Sequence, residues 1–240
     1  MKFRLLAASL AMIAIAVPAQ AFTYFSLNGA PDPGLAKFEQ SLVTFDAPSA
    51  KGITETDSGT VGLFTGTTSG VAAKPALDET KYLAVGAAGS ATFDFTNYFS
   101  GKNIRSLSVY LGSIDLYNHI DVLAGSTAIG TINGADLPSH NGDQNAAVTN
   151  RRLYINFATA EGVTGLRFRS DGVAFEFDTI GASPAVVAPV PDGAMLKSLP
   201  PVGSGVGGVV PEPAAWMLMI AGFGLVGAAA RRRRTDVVFA

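Results

Sequence analysis

The chain has 240 residues, 17 basic and 19 acidic side chains, and a formal net charge of -2. It contains no Cys and only two His, which excludes disulfides, thiolate metal sites and thiol nucleophiles. Charged residues reach only 15%, and 27 Gly favour turns over long helices.

Residues 1–21 open with Lys2 and Arg4, run apolar from Leu5 to Val17 and close with Ala19-Gln20-Ala21. A positive start, an apolar middle and a small-x-small end predict a secretory signal peptide. Ala19 and Ala21 supply the cleavage site for signal peptidase, and the mature chain would begin at Phe22. The run is shorter than the ~20 apolar residues that a spanning helix needs.

From Phe22 to Ala182 apolar residues recur at period two. Leu107, Val109 and Leu111 alternate with Ser106, Ser108 and Tyr110. Leu153, Ile155 and Phe157 alternate with Arg152, Tyr154 and Asn156, and Leu166 and Phe168 with Arg167 and Arg169. Val173, Phe175 and Phe177 alternate with Ala174, Glu176 and Asp178. Such alternation places one strand face in a core and one in water. Shorter strands are expected at 22–27, 41–46, 60–64, 82–86, 91–95, 119–124 and 128–132. Turn signals such as Asn28-Gly29, Asn133-Gly134 and Asp171-Gly172 separate them. One short helix is expected within Leu35–Ser41. Many short strands predict an all-β domain over 22–182, a single jelly-roll-like β-sandwich.

Residues 183–210 are rich in Pro and Gly and lack periodicity, so they read as a linker. Residues 22–209 carry 11 basic and 17 acidic side chains, which does not suit nucleic-acid phosphates.

The tail begins with Pro211-Glu212-Pro213, whose prolines hold the backbone extended. An uncharged apolar run, 214–230, follows, with Trp216 near its outer edge. As a helix it is about 25 Å long, enough to span a bilayer with some thinning. Arg231, Arg232, Arg233 and Arg234 come next; four cations resist translocation and act as a stop-transfer signal. Residues 235–240 would be a short cytoplasmic tail.

This order of PEP motif, apolar span and Arg cluster resembles the PEP-CTERM sorting signal of exported proteins of Gram-negative bacteria. Pro211 to Trp216 looks like the PEPxxWA subtype, with Met217 standing where the subtype usually has Ala. The resemblance implies export, transient anchoring in the inner membrane and processing near 211–213 by an exosortase, a membrane transpeptidase. The product would reside at the cell surface or in the extracellular matrix. The segment Gly112-Ser113-x-Asp115-x-Tyr117-Asn118 and the opening Asn28–Gly34 are similar to stretches of secreted PEP-CTERM surface proteins, a resemblance that implies no assigned chemistry.

Taken alone, Asp115 and Asn118 suit a capped Asx turn. The other use of Asp115, Tyr117 and Asn118 is a calcium- or sugar-binding loop. Asn141-x-Asp143-x-Asn145 opens like an EF-hand loop, but Ala146 and Arg152 occupy positions that need Gly and Glu. A structural calcium elsewhere in the sandwich is admitted by its many Asp and Asn, with no ligands identified; no other cofactor is implied. Asp94, Asp115, Asp121, Glu176 and Asp178 could supply a glycosidase pair, but any acidic sandwich offers as much, and Glu176 and Asp178 read as a solvated edge. His119, His140 and Ser139 lack a nucleophile motif. No catalytic residue is assigned and the chain is expected not to be an enzyme. Tyr110 and Tyr154 fall on outward faces, where exposed rings could stack on sugars. The expected function is that of an exported, non-enzymatic surface or matrix protein. The alternatives are a carbohydrate-binding module for exopolysaccharide, assisted by calcium, and then a surface glycoside hydrolase.

Overall fold

Among the described residues, short strands predominate, with one turn of α-helix and two 3-10 turns, Gly134–Asp136 and Ala147–Thr149. In chain order the strands and the α-helical turn are β1 (Phe22–Asn28), β2 (Gln40–Val43), β3 (Thr54–Ser58), β4 (Val61–Phe64), β5 (Tyr82–Val85), β6 (Gly89–Asp94), α1 (Thr96–Phe99), β7 (Ser106–Leu111), β8 (Asn118–Ala124), β9 (Thr127–Asn133), β10 (Arg151–Phe157), β11 (Gly165–Ser170), β12 (Phe175–Ser183) and β13 (Lys197–Ser198). The computed structural model describes residues 22–157 and 162–188 and the backbone of 197–198. The chain divides into two units, Met1–Val202 and Gly203–Ala240, and every described residue lies in the first.

The strands form two antiparallel sheets. One runs β13-β1-β10-β7-β12-β5-β4, with β2 also paired to β12; the other runs β3-β6-β11-β8-β9. The two layers face one another across one core, a β-sandwich. Inward residues are those the period-two pattern selected: Leu107, Val109, Leu111, Leu153, Ile155 and Phe157 from one sheet, and Phe93, Ile120, Val122, Leu166 and Phe168 from the other. Phe168 and Phe177 stack across the layers at 3.8 Å, and Phe93 meets both edge-on.

β12 keeps its apolar side inward along nine residues by one irregularity. Phe175 and Phe177 point to the core, and so do Ile180 and Ala182. The parity shift falls at Thr179, where the register with β7 slips and φ is 35°. One inserted residue re-aims the second half of the strand. The first half pairs with β5 and the second with β2. Val173, read as the start of this strand, lies instead in the preceding turn and is exposed.

Three segments cover the outer face of the larger sheet. Gly29–Glu39 crosses β7, β10 and β12: Asp32 reaches Arg152, and Leu35 and Glu39 lie against Gly181. No helix forms there, because Phe38 sits at φ 73° and turns the chain into β2. The loop between β4 and β5 docks through Tyr82, whose hydroxyl donates to Gly66 O at 2.8 Å, and through Ala72 packed on Tyr82 and Ala84. Residues 185–187 run on along the sheet, held by Ser106 Oγ to Ala185 O and by reciprocal bonds between Asn156 and Val187. β13 then pairs with Thr23 and Tyr24 of β1.

Edge strand β3 was not read from the sequence. All five of its residues are exposed, and Glu55 and Asp57 point inward opposite Phe93 and Ala91. Loss of water pushes both carboxyls above their ordinary range, Asp57 adding repulsion on Glu55. Together with Phe45, Pro48 and Leu63 they line a groove of about 450 Å³. Inward charges on an edge discourage pairing with another chain.

Candidate functional site

The most developed site lies at the loop end of β7 and β12. Leu111 pairs with Phe177, so the next rung sets Gly112 beside Glu176, and the Gly112 N–H donates to Glu176 O at 2.8 Å. A Cβ at 112 would stand 2.9 Å from Glu176 Cβ; glycine leaves room for the acid to lie under the loop. Glu176 is only 2% exposed, and its Oε1 accepts the Ala73 N–H at 2.7 Å. Burial pushes its carboxyl up to about 7, with Asp115 adding repulsion and the Ala73 amide opposing the rise. Above it opens a pocket of about 200 Å³, walled by Thr67, Thr68, Ser69 and Gln144 with Val71 and Val173 at the rim.

The 112–118 segment builds the floor of this region. Asn118 Oδ1 accepts the Asp115 N–H at 2.7 Å, the Asx-type capping its sequence suggested. Asn118 Nδ2 donates to Ala174 O at 3.3 Å. The Tyr117 hydroxyl lies 2.6 Å from Asp115 Oδ2 and 2.7 Å from Val173 O, and its one proton serves one acceptor at a time. Burial and the Asp115 bond push the Tyr117 phenol well up. Gly142, at φ 64°, presses on the Asp115 carboxylate so closely that a Cβ would overlap it. Asp115, Tyr117 and Asn118 thus come together, and what they hold is the turn carrying Val173 and Ala174.

Two expectations about side chains are corrected. Tyr110 and Tyr154 do sit on the outward face, but the covering segments leave them 1% and 3% exposed. Tyr154 stacks on Phe25 at 4.9 Å, and Arg152 lies over the Tyr110 ring. Neither ring is displayed to a sugar. Glu176 and Asp178 are not a solvated edge either: Asp178 is 5% exposed, and burial raises its carboxyl to about 7, with Asp78 contributing repulsion. The lid that buries all four side chains comes from segments distant in sequence, which strand alternation cannot report.

The remaining candidates are engaged separately. Asp121 accepts bonds from Arg167, Arg169 and Thr131 on the outer face of the smaller sheet. The Asp94 side chain accepts the Thr96 N–H at 2.8 Å. His119 bridges Asn133 and Asp171, and His140 Nδ1 donates to Leu137 O. Asn141 and Asp143 make Asx bonds within their exposed loop. Among the described residues no three His, Asp or Glu side chains converge for a metal ion. Sequence reasoning missed Arg152: alternation placed it outward, but nothing local signalled Asp32 as its partner.

Pro211, Glu212, Pro213, Trp216, Arg231–Arg234, Ala19 and Ala21 all lie outside the described residues. Among the described residues no helix is long and apolar enough to cross a membrane.

By its own pairing the domain is a β-sandwich, with one broad face sealed under loops and one loop-end pocket. Its tail says where the protein goes: residues 209–234 match the PEP-CTERM protein-sorting motif, so the chain carries the signal of a protein exported and sorted to the cell envelope or surface. No curated protein matches the chain. Among solved structures it is similar to the module CsCBM6-3 from Clostridium stercorarium in complex with cellobiose, at 17% identity and a TM-score of 0.34, covering 54% of this chain and 87% of that one. A family 6 carbohydrate-binding module studied by sub-site dissection gives 16% identity and a TM-score of 0.34, covering 55% and 93%. Likenesses this low transfer no role.

Proposed function

We propose that the chain is a non-enzymatic surface or extracellular-matrix protein whose tail is processed by an exosortase after export. The PEP-CTERM motif over 209–234 is the observation that carries this reading. Signal peptidase removes residues 1–21, the Arg231–Arg234 cluster arrests the chain in the inner membrane, and cleavage near Pro211–Pro213 frees the domain or links it at the surface. In support of a scaffold role, most of the acids weighed as catalytic are engaged in local structure: Asp94 in an Asx turn, Asp121 under two guanidiniums, Asp115 with Tyr117.

The test is intact-mass analysis of the protein from the cell surface or medium. The expected mass ends near residues 211–213; replacing Pro211–Pro213 with Ala leaves the tail attached and the protein in the inner membrane. A surface form that retains residues 214–240 overturns the reading.

A second reading, a module binding exopolysaccharide, is favoured by the loop-end pocket, whose Thr67, Thr68, Ser69 and Gln144 walls offer hydroxyl and amide partners. Of the tyrosines that could stack on a sugar, Tyr82, Tyr98, Tyr110 and Tyr154 are buried, and Tyr117 is half-buried with its hydroxyl against Asp115 and Val173. Pull-down on neutral and acidic polysaccharides, with and without a chelator, separates this reading from a scaffold.

A further inference from the structure

Where the β4–β5 loop meets β12, at the edge of the covered face, one threonine joins two carboxylates that have no basic partner among the described residues. Asp178 stands on β12 just before the Thr179 irregularity, and Asp78 hangs from the loop between β4 and β5. Thr80 links them. Its N–H donates to Asp78 Oδ1 at 2.8 Å; its hydroxyl bonds that same oxygen and lies 3.2 Å from Asp178 Oδ2. The Thr179 hydroxyl is 3.1 Å from Asp178 Oδ2.

The other oxygen of each acid, Asp78 Oδ2 and Asp178 Oδ1, is buried and has no protein donor. A backbone bond from Thr179 supports the Asp178 carboxylate, yet its Oδ1 has no donor. Among the described residues no Lys or Arg pairs with either acid. Arg152, which bonds the neighbouring Thr179 carbonyl, is taken up by Asp32 and Ser108 Oγ. A buried carboxylate oxygen without a donor is costly, and the nearby Asp78 charge adds repulsion on Asp178.

Either a shared proton or a cation relieves such a pair. The surrounding atoms favour the cation's chemistry: two carboxylates and the hydroxyls of Thr80 and Thr179, all hard oxygen and no nitrogen or sulfur. That set suits calcium, which accepts irregular oxygen shells, and not zinc or copper.

We propose that Asp78 and Asp178 form a calcium site that fastens the β4–β5 loop to β12. With only two carboxylates its affinity belongs with extracellular modules, Kd on the order of 10⁻⁴–10⁻³ M. The site does not depend on the sorting reading; it concerns the domain alone.

The test uses the full exported protein, stripped with EGTA and titrated with calcium chloride. At ten times Kd the unfolding midpoint rises by about 4 °C. Terbium, standing in for calcium, luminesces on excitation of tyrosine, since Tyr110 is the β7 partner of Asp178. Asp178→Asn and Asp78→Asn each abolish the midpoint shift and the luminescence; Asp78, on the loop, serves should the strand variant fail to fold. Asp143→Asn, in the exposed loop, leaves both intact. Calcium without effect on the midpoint, with Asp78→Asn raising it, identifies a shared proton and overturns the proposal. A calcium shift that survives both Asn variants overturns it as well.

Discussion

Arg152 on β10 is fully buried, and its ion-pair partner is Asp32, in the segment that crosses above it. The guanidinium also donates to Ser108 Oγ at 3.1 Å and to Thr179 O at 3.3 Å, so one side chain joins three strands and the lid. Removing Asp32 leaves a buried cation unmatched. Asp32→Ala is expected to lower the unfolding free energy by about 3 kcal/mol, read from denaturant midpoints at constant slope. The paired replacement Asp32→Leu with Arg152→Met recovers most of that loss, because it removes both desolvated charges together.

The stack of Phe168 on Phe177 joins the two layers of the sandwich. Both rings are wholly buried, and Phe93 and Phe175 pack around them. Phe177→Ala opens a cavity between the sheets and is expected to cost about 3–5 kcal/mol by the same denaturant measurement. Phe177→Leu keeps most of the volume and costs about 1.5 kcal/mol. Equal costs for the two variants would mean that the stack does not hold the layers.

Asp121 provides the pH-dependent element of the smaller sheet. Burial alone would raise its carboxyl, but hydrogen bonds from Arg169, Thr131 and Arg167 outweigh that and hold it below the ordinary carboxylate value. Its folded pKa is therefore depressed. The stability it contributes is complete above the unfolded value, about 4, and is lost as pH falls through the folded value. Thermal unfolding scanned from pH 6 to 2 should show this loss, and Asp121→Asn should flatten it. At pH 7 the same variant costs about 2 kcal/mol, since two guanidiniums lose a charged acceptor.

The sequence was most informative where structure is local. Alternation identified the inward Leu107, Val109, Leu153, Ile155 and Phe168 because each answers to its own strand's pleat. The Asx turn at Asp115 and Asn118 was legible for the same reason, as its partners are three residues apart. β3 escaped because TETDS has no apolar side to count. The helix expected within Leu35–Ser41 failed at Phe38, whose left-handed backbone no helical spacing foretells. Glu176 is capped by Ala73, 103 positions away, and Arg152, which lies over the Tyr110 ring, is held by Asp32, 120 positions away. No period reports a contact at that range.

The place where β13 joins the sheet has a mechanical consequence. Lys197–Ser198 pairs antiparallel with Thr23–Tyr24 at the sheet's outer margin, next to the strand that starts the domain. Tension arriving through the chain beyond residue 198 reaches these two rungs before any rung between β1 and β10. The margin can come away as a sacrificial strip while β1 stays zipped to β10 along seven paired residues. A load on that end would thus be met at the hem of the sheet before its body is strained.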